Sequence, residues 1–256
     1  MTKPLVKSAQ TISQAWAEVF LATMEKGGSP RHPVIVTIDG LEDNHNVEIP
    51  SIRERLDAEL LAFKQSTCLT VANTIFPMSL WNPEAEDNAA TLYSRYERAW
   101  PGIKKCPTNK YGVYFRRMTS YQPKDSKTFT NQLESVIASY KQGNHRKSAL
   151  QLSIFDPTRD HTNQRQKGFP CLQQVSFTPL KGDRLSVTGF YATQYQFEKA
   201  YGNYLGLYWL GKFVASQLDM SLSQVICSAA VLSRGSKKVN QLNSLAIDIK
   251  NLLMKQ

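Results

Sequence analysis

The sequence predicts an α+β fold, laid out as one domain across residues 1–256. Three observations carry this. Stretches with helical spacing of apolar residues are interspersed with stretches that alternate as strands do, in no regular βαβ order. Two of the strand-like stretches, CLQQVSFTPL and RLSVTGFYAT, are separated only by the turn at Lys181, Gly182 and Asp183, which is a hairpin signature. There is no internal repeat and no obvious linker, and 256 residues are ample to bury a core.

The elements follow in order. ISQAWAEVFLATMEKG, at 12–27, places Ile12, Trp16, Val19, Phe20 and Met24 on one helical face and is stopped by Gly27 and Gly28. PVIVTIDG, at 33–40, alternates as a strand and ends in a turn. RERLDAELLAFK, at 53–64, reads as helix, and CLTVANTIF, at 68–76, as strand because of its β-branched residues. The region from Pro77 to Tyr121 is rich in turn formers and reads as loop. FTNQLESVIASYKQG, at 129–143, is an amphipathic helix opening behind Thr130 and closing at Gly143. ALQLSIF, at 149–155, is a strand, followed by the polar loop DPTRDHTNQRQKG and then the hairpin. A long helix is expected over roughly 197–218, SQVICSAAVL, at 223–232, is a further strand, and LNSLAIDIKNLL closes the chain.

Composition narrows the functional classes. Apolar residues make up 41% and charged residues 20%, which is globular rather than disordered. No apolar run approaches the roughly 18 residues of a membrane span, and MTKPLVKSAQ lacks the apolar core of a secretory signal, so a cytoplasmic protein is expected. Cys68, Cys106, Cys171 and Cys227 form no CxxC pair, and His32, His45, His145 and His161 form no HxxxH pattern; neither a disulfide framework nor a metal site is expected. GxxxxGK[ST] and GxGxxG are both missing. The formal net charge is +10, which favours anionic partners. No run of basic residues exceeds two, and pairs such as Lys104-Lys105 and Arg146-Lys147 read mostly as solvated surface.

Three blocks in order carry a family resemblance. They are NQLESVIASYKQGNHRKSALQLSIFDP at 131–157, GFPCLQQVSF at 168–177 and YATQYQFEKAYGNYLGLYWL at 191–210. ISQAWAEVFLATMEKGG and NKYGVYFRR add weaker matches nearer the N-terminus. In this order they resemble the thymidylate synthase and pyrimidine nucleotide C5 hydroxymethylase superfamily, as a divergent member. The resemblance implies a mixed sheet packed with helices and a homodimer formed through that sheet. It also implies methylene-tetrahydrofolate as one-carbon donor and a pyrimidine nucleotide or nucleoside as substrate.

The chemistry explains the residue types. A pyrimidine C5 is a poor nucleophile until a thiolate adds at C6 and turns the ring into an enolate. By the resemblance, Cys171 in the Pro-Cys segment is that nucleophile, and it needs a cation nearby to favour thiolate. Asn203 corresponds to the asparagine that reads the base, since an amide both donates and accepts, and it leans toward uracil. Arg146 corresponds to the phosphate-holding arginine donated across the dimer, and Arg31, before the strand at 33–40, is a second phosphate ligand. Tyr111 and Gln174 lie within matched stretches and complete the expected substrate contacts.

The chain also departs from the family's pattern. Ala192 stands where an Arg is expected, Tyr195 where an Asp is expected, Leu172 where a His follows the nucleophile, and AAVLSRG, at 229–235, lacks the ribose-gripping His and Tyr. Two further readings therefore stand beside the transferase. One is a catalytically reduced homologue that binds a nucleotide or a protein partner without turnover. The other is a nucleic-acid binding protein, motivated by the charge alone.

Overall fold

A computed structural model describes residues 4–25, 27–41, 46–123, 127–143, 146–163 and 169–255. His45, His145, Gly168 and most of the polar stretch NQRQKG lie outside the described residues. Six strands form one mixed sheet: β1 (Leu5–Ala9), β2 (Val34–Asp39), β3 (Gln151–Ser153), β4 (Leu172–Leu180), β5 (Arg184–Tyr195) and β6 (Ser221–Ser233), in the order β1-β2-β6-β5-β4-β3. β1 with β2 and β5 with β6 are parallel, and the other neighbours are antiparallel. The expected hairpin joins β4 to β5, with Gly182 (φ 74°) and Asp183 (φ 51°) in the left-handed region that a tight hairpin turn requires. The expected α+β class is thus the observed one. β1 was not anticipated in the sequence.

Nine helices complete the described chain: α1 (Ile12–Glu25), α2 (Pro50–Ala62), α3 (Cys68–Ile75), α4 (Asn88–Lys105), α5 (Tyr114–Thr119), α6 (Gln132–Lys141), α7 (Pro157–Asp160), α8 (Tyr201–Gln217) and α9 (Val239–Leu253). Two expectations are corrected. CLTVANTIF is α3, not a strand. Thr67 caps it by accepting from the Thr70 N–H, and Asp57 accepts from the Cys68 N–H. Its buried residues Cys68, Val71, Ala72 and Ile75 recur at helical spacing, so capping and packing override β-propensity. The region from Pro77 to Tyr121 is not mainly loop either. Asp87 caps α4 through the Ala90 N–H, Leu92 and Tyr96 anchor it, and Pro101 is tolerated on its exposed side. The one-turn α7 also interrupts the stretch read as polar loop.

Burial alternates along the strands. Val34, Val36, Ile38, Val187, Tyr191, Val225, Cys227 and Ala229 are buried beneath the helices, and α8 lies against β5 and β6. Gly202 and Gly206 let α8 approach α3 so closely that a Cβ at either would collide with Val71 or Ile75 and with α3 backbone carbonyls. The intervening residues form the other sheet face. Ile35, Thr37, Ile226, Ser228, Ala230, Thr188 and Ala192 are half-buried or exposed there, and Phe190 is 41% exposed. Charge on that face is confined to one end, at Arg184 and at Asp39, which accepts from Ser8 and Gln224.

Candidate functional site

Cys171 immediately precedes β4, at the end of the sheet where β5 turns into α8. Its N–H donates to the Tyr114 hydroxyl at 3.3 Å, and its carbonyl accepts from the Ala192 N–H at 3.0 Å and from the Gln173 amide at 3.3 Å. The backbone is therefore fixed by α5 on one side and β5 on the other. The side chain is half-buried and the thiol is free. Burial pushes its pKa above the ordinary thiol value, and the Lys199 ammonium opposes that shift. Lys199 comes from the π-helical turn Gln196–Ala200 that opens α8. Desolvation lowers the Lys199 pKa, while Glu198 and Cys171 pull it back up. The Lys199 ammonium thus acts on the thiol in the direction of thiolate, and burial outweighs it.

Asn203 reaches the same layer by register. On α8, Gly211 packs against Val187 and Leu222, and one turn earlier Leu207 packs against Gly189. Four helical residues rise about 6 Å and two strand residues about 6.6 Å, so continuing that register brings Asn203 to the level of Tyr191 along β5. Tyr191 is the strand partner of Leu172, and its hydroxyl is affected electrostatically by Cys171 and Tyr114. Asn203 is only 4% exposed. Lys199 precedes it by four residues. Cys171 and Asn203, both singled out in the sequence, thus lie toward the same end of the sheet.

Residues the sequence reading missed complete this end. Tyr114, Tyr191, Tyr204 and Lys199 come from α5, β5, α8 and the π-helical turn, and their proximity depends on topology. The hydroxyls of Tyr191 and Tyr204 are fully buried and have no hydrogen-bond partner among the described residues. Only Lys199 carried a local signal, its spacing of one turn before Asn203.

The other expected residues lie elsewhere. Arg31 is buried, donates to the Ala22 carbonyl in the last turn of α1, and forms a bridge with Leu232. Arg146 is exposed ahead of the 3-10 turn Lys147–Ala149. Tyr111 is exposed, with the Lys110 ammonium over its ring. Gln174 projects from the open face, paired with Phe190 and Ser153, because a bulge between Leu172 and Gln174 turns both Leu172 and Val175 inward. Of the positions that depart from the family pattern, Leu172 is fully buried, and Ala192 and Tyr195 are exposed. In AAVLSRG, the Gly235 backbone leaves room for the buried Glu198 carboxylate, which accepts from the Ser236 N–H and hydroxyl.

A separate open cleft of about 890 Å³ is lined by Thr11, Gln14, Glu18, Glu48, Ser51 and Glu54. Three carboxylates make it a poor seat for a phosphate. No helix among the described residues is long and apolar enough to cross a membrane. In comparisons with known proteins, no family model matches the chain and no curated protein is significantly similar to it.

Proposed function

We propose that the chain is a divergent, thymidylate synthase-like transferase that places a methyl or hydroxymethyl group on C5 of a pyrimidine nucleotide or nucleoside. The observation that carries this is the half-buried Cys171 thiol at the end of the sheet, with the Lys199 ammonium acting on it. The thiolate adds to C6 and the ring electrons pass to an enolate. C5 would then bond to the one-carbon unit; loss of the C5 proton and cleavage of the bond from that unit to its carrier would release the carrier. Water would complete a hydroxymethyl group, or a hydride given up by the reduced carrier a methyl group, and cleavage of the S–C6 bond would return the ring and the thiolate. Methylene-tetrahydrofolate would supply that carbon. Asn203 would pair with the O4 and N3 edge of a uracil-like base, and Lys199 would favour the thiolate.

The same reading makes the open sheet face the seat of a second copy, giving a two-fold homodimer in the cytoplasm. Support comes from the face itself: apolar and small hydroxyl residues cover it, and its charges lie at one end of a chain with net charge +10. Two such faces can stack at about 10 Å in an isologous contact. A monomeric mass by light scattering at micromolar concentration overturns the assembly. In this reading the exposed Arg146 would reach the phosphate from the partner copy, while Arg31, buried and bonded to the Ala22 carbonyl, is held away from that role.

One observation favours a second reading. Burial outweighs Lys199, so the Cys171 pKa stays above its ordinary value and the thiol is held toward its protonated state. That is the state expected of a catalytically reduced homologue that binds a nucleotide or a protein partner without turnover. Mass spectrometry after incubation with a 5-fluoropyrimidine nucleotide and methylene-tetrahydrofolate separates the two. An adduct that disappears in Cys171→Ser supports the transferase. Nucleotide-induced thermal stabilisation that is the same in Cys171→Ser, with no adduct, supports the binder.

A further inference from the structure

The net charge is not evenly distributed. Residues 95–147 contain twelve Lys and Arg against three Asp and Glu, a formal +9 of the chain's +10. They include most of α4, all of α5 and α6, and the 3-10 turns Pro107–Asn109 and Lys147–Ala149. At the C-terminal end of α4 and the loop beyond it, Arg98, Lys104, Lys105 and Lys110 are all exposed. The acidic residue nearest them in sequence, Glu97, is already neutralised by an ion pair with Arg116.

Aromatic rings are interleaved with this charge. Tyr111 is 43% exposed beneath the Lys110 ammonium, and the half-buried Trp100 carries the Arg116 guanidinium over its ring at 4.9 Å. The surface leads directly to the Cys171 end of the sheet. Gly112, next to Tyr111, lies against the Phe169 ring with no room for a Cβ, Tyr114 holds the Cys171 N–H, and the Arg117 guanidinium lies over Phe169.

We propose that this surface binds single-stranded nucleic acid. Spaced, exposed cations match the phosphates of an extended strand, and the exposed Tyr111 ring, with its second face opposite Lys110, supplies a surface on which an unpaired base stacks. An anionic bilayer would attract the same cations, and the vesicle arm of the test separates the two. The proposal is independent of the chemistry at Cys171, since it concerns binding alone.

The test is fluorescence anisotropy with the full chain and labelled oligo-dT and oligo-U of about 20 nucleotides, long enough for a site of about 4–16. Binding is expected to weaken at least about tenfold between about 50 and 200 mM salt. The combined variant Lys104→Glu, Lys105→Glu, Lys110→Glu should lose at least about tenfold in affinity, with a salt slope shallower by about 0.7 per phosphate contact removed. Tyr111→Ala should lose a few-fold in affinity with the slope unchanged. All four positions are exposed, and circular dichroism checks that the variants fold. Preference for oligo-dT or oligo-U identifies DNA or RNA as the strand, and either supports the proposal. It is overturned if neither oligonucleotide binds at 50 mM salt, if the charge-reversed chain binds equally well, or if only anionic phospholipid vesicles bind.

Discussion

Cys227, within β6, and Cys171, just ahead of β4, are both free thiols, yet their surroundings differ in kind. Cys227 sits mid-strand on β6 opposite Gly189, is 2% exposed, and accepts from the Gln194 amide at 3.5 Å. Tyr191 and Tyr204 close in around it, and burial pushes its thiol up to about 12. Cys171 stands one residue before β4, where the layer opens, and there an ammonium works against burial. The difference shows that position along the layer, rather than residue type, decides whether a thiol is packing or chemistry. Mid-layer, a cysteine behaves as a small hydrophobe; at the open end it meets the first turn of a helix and the charge that turn carries.

The largest expected effect breaks the sealed region. Cys227, Tyr191, Tyr204 and, against α2 and α3, Cys68 and Tyr201 are all raised above their ordinary pKa values, with burial the leading cause in each. The folded chain therefore holds these protons where the unfolded chain releases them. Their contribution to stability is complete below the unfolded values, which begin near 9 for the thiols, and is lost as pH rises through and beyond them. Each group removes at most about 1.4 kcal/mol per pH unit, and five acting together weigh heavily against a total of roughly 5–15 kcal/mol. Urea midpoints should hold from pH 7 to 8.5 and fall steeply above 9. A midpoint unchanged up to pH 11 would mean that these groups reach solvent and that the layer is not sealed.

The contrast between the two regions was only partly legible in the sequence. Alternation at 33–40, 172–195 and 223–232 marks strands because one face is buried and the other open, and a period of two records that directly. α3 was misread because eight residues rich in β-branched side chains fit either period; its helix depends on a cap from Thr67 and a carboxylate from Asp57, eleven residues away. α4 was hidden by Pro101 and by the turn formers around it. At the site, Cys171 and Asn203 stood out by residue type and context. Lys199, Tyr114 and Tyr191 did not, since pairing Leu172 with Tyr191 and packing α5 on Cys171 are facts of topology. Gln174 looked equivalent to its neighbours in CLQQVSF, and only the bulge turns it to the open face.

A smaller effect sharpens the comparison at its open end. If Lys199 is what separates Cys171 from Cys227, removing its charge should move Cys171 toward the behaviour of a merely buried thiol. Iodoacetamide reacts with thiolate, so its rate against pH reports the Cys171 titration. The measurement needs a Cys106→Ser background, because Cys106 is fully exposed and its hydrogen bond with Thr108 lowers its pKa, so it would react first. In Lys199→Gln the Cys171 profile should shift to higher pH, with labelling at pH 8 slower by about two- to fivefold, a modest change because burial rather than the lysine is the larger influence on this thiol. Raising the salt to about 1 M, where the screening length is about 3 Å, should shrink the difference between the parent and the variant. Cys227 should stay unlabelled in both until urea unfolds the chain. Identical Cys171 profiles with and without the lysine would remove Lys199 from the site and leave Cys171 distinguished from Cys227 by exposure alone.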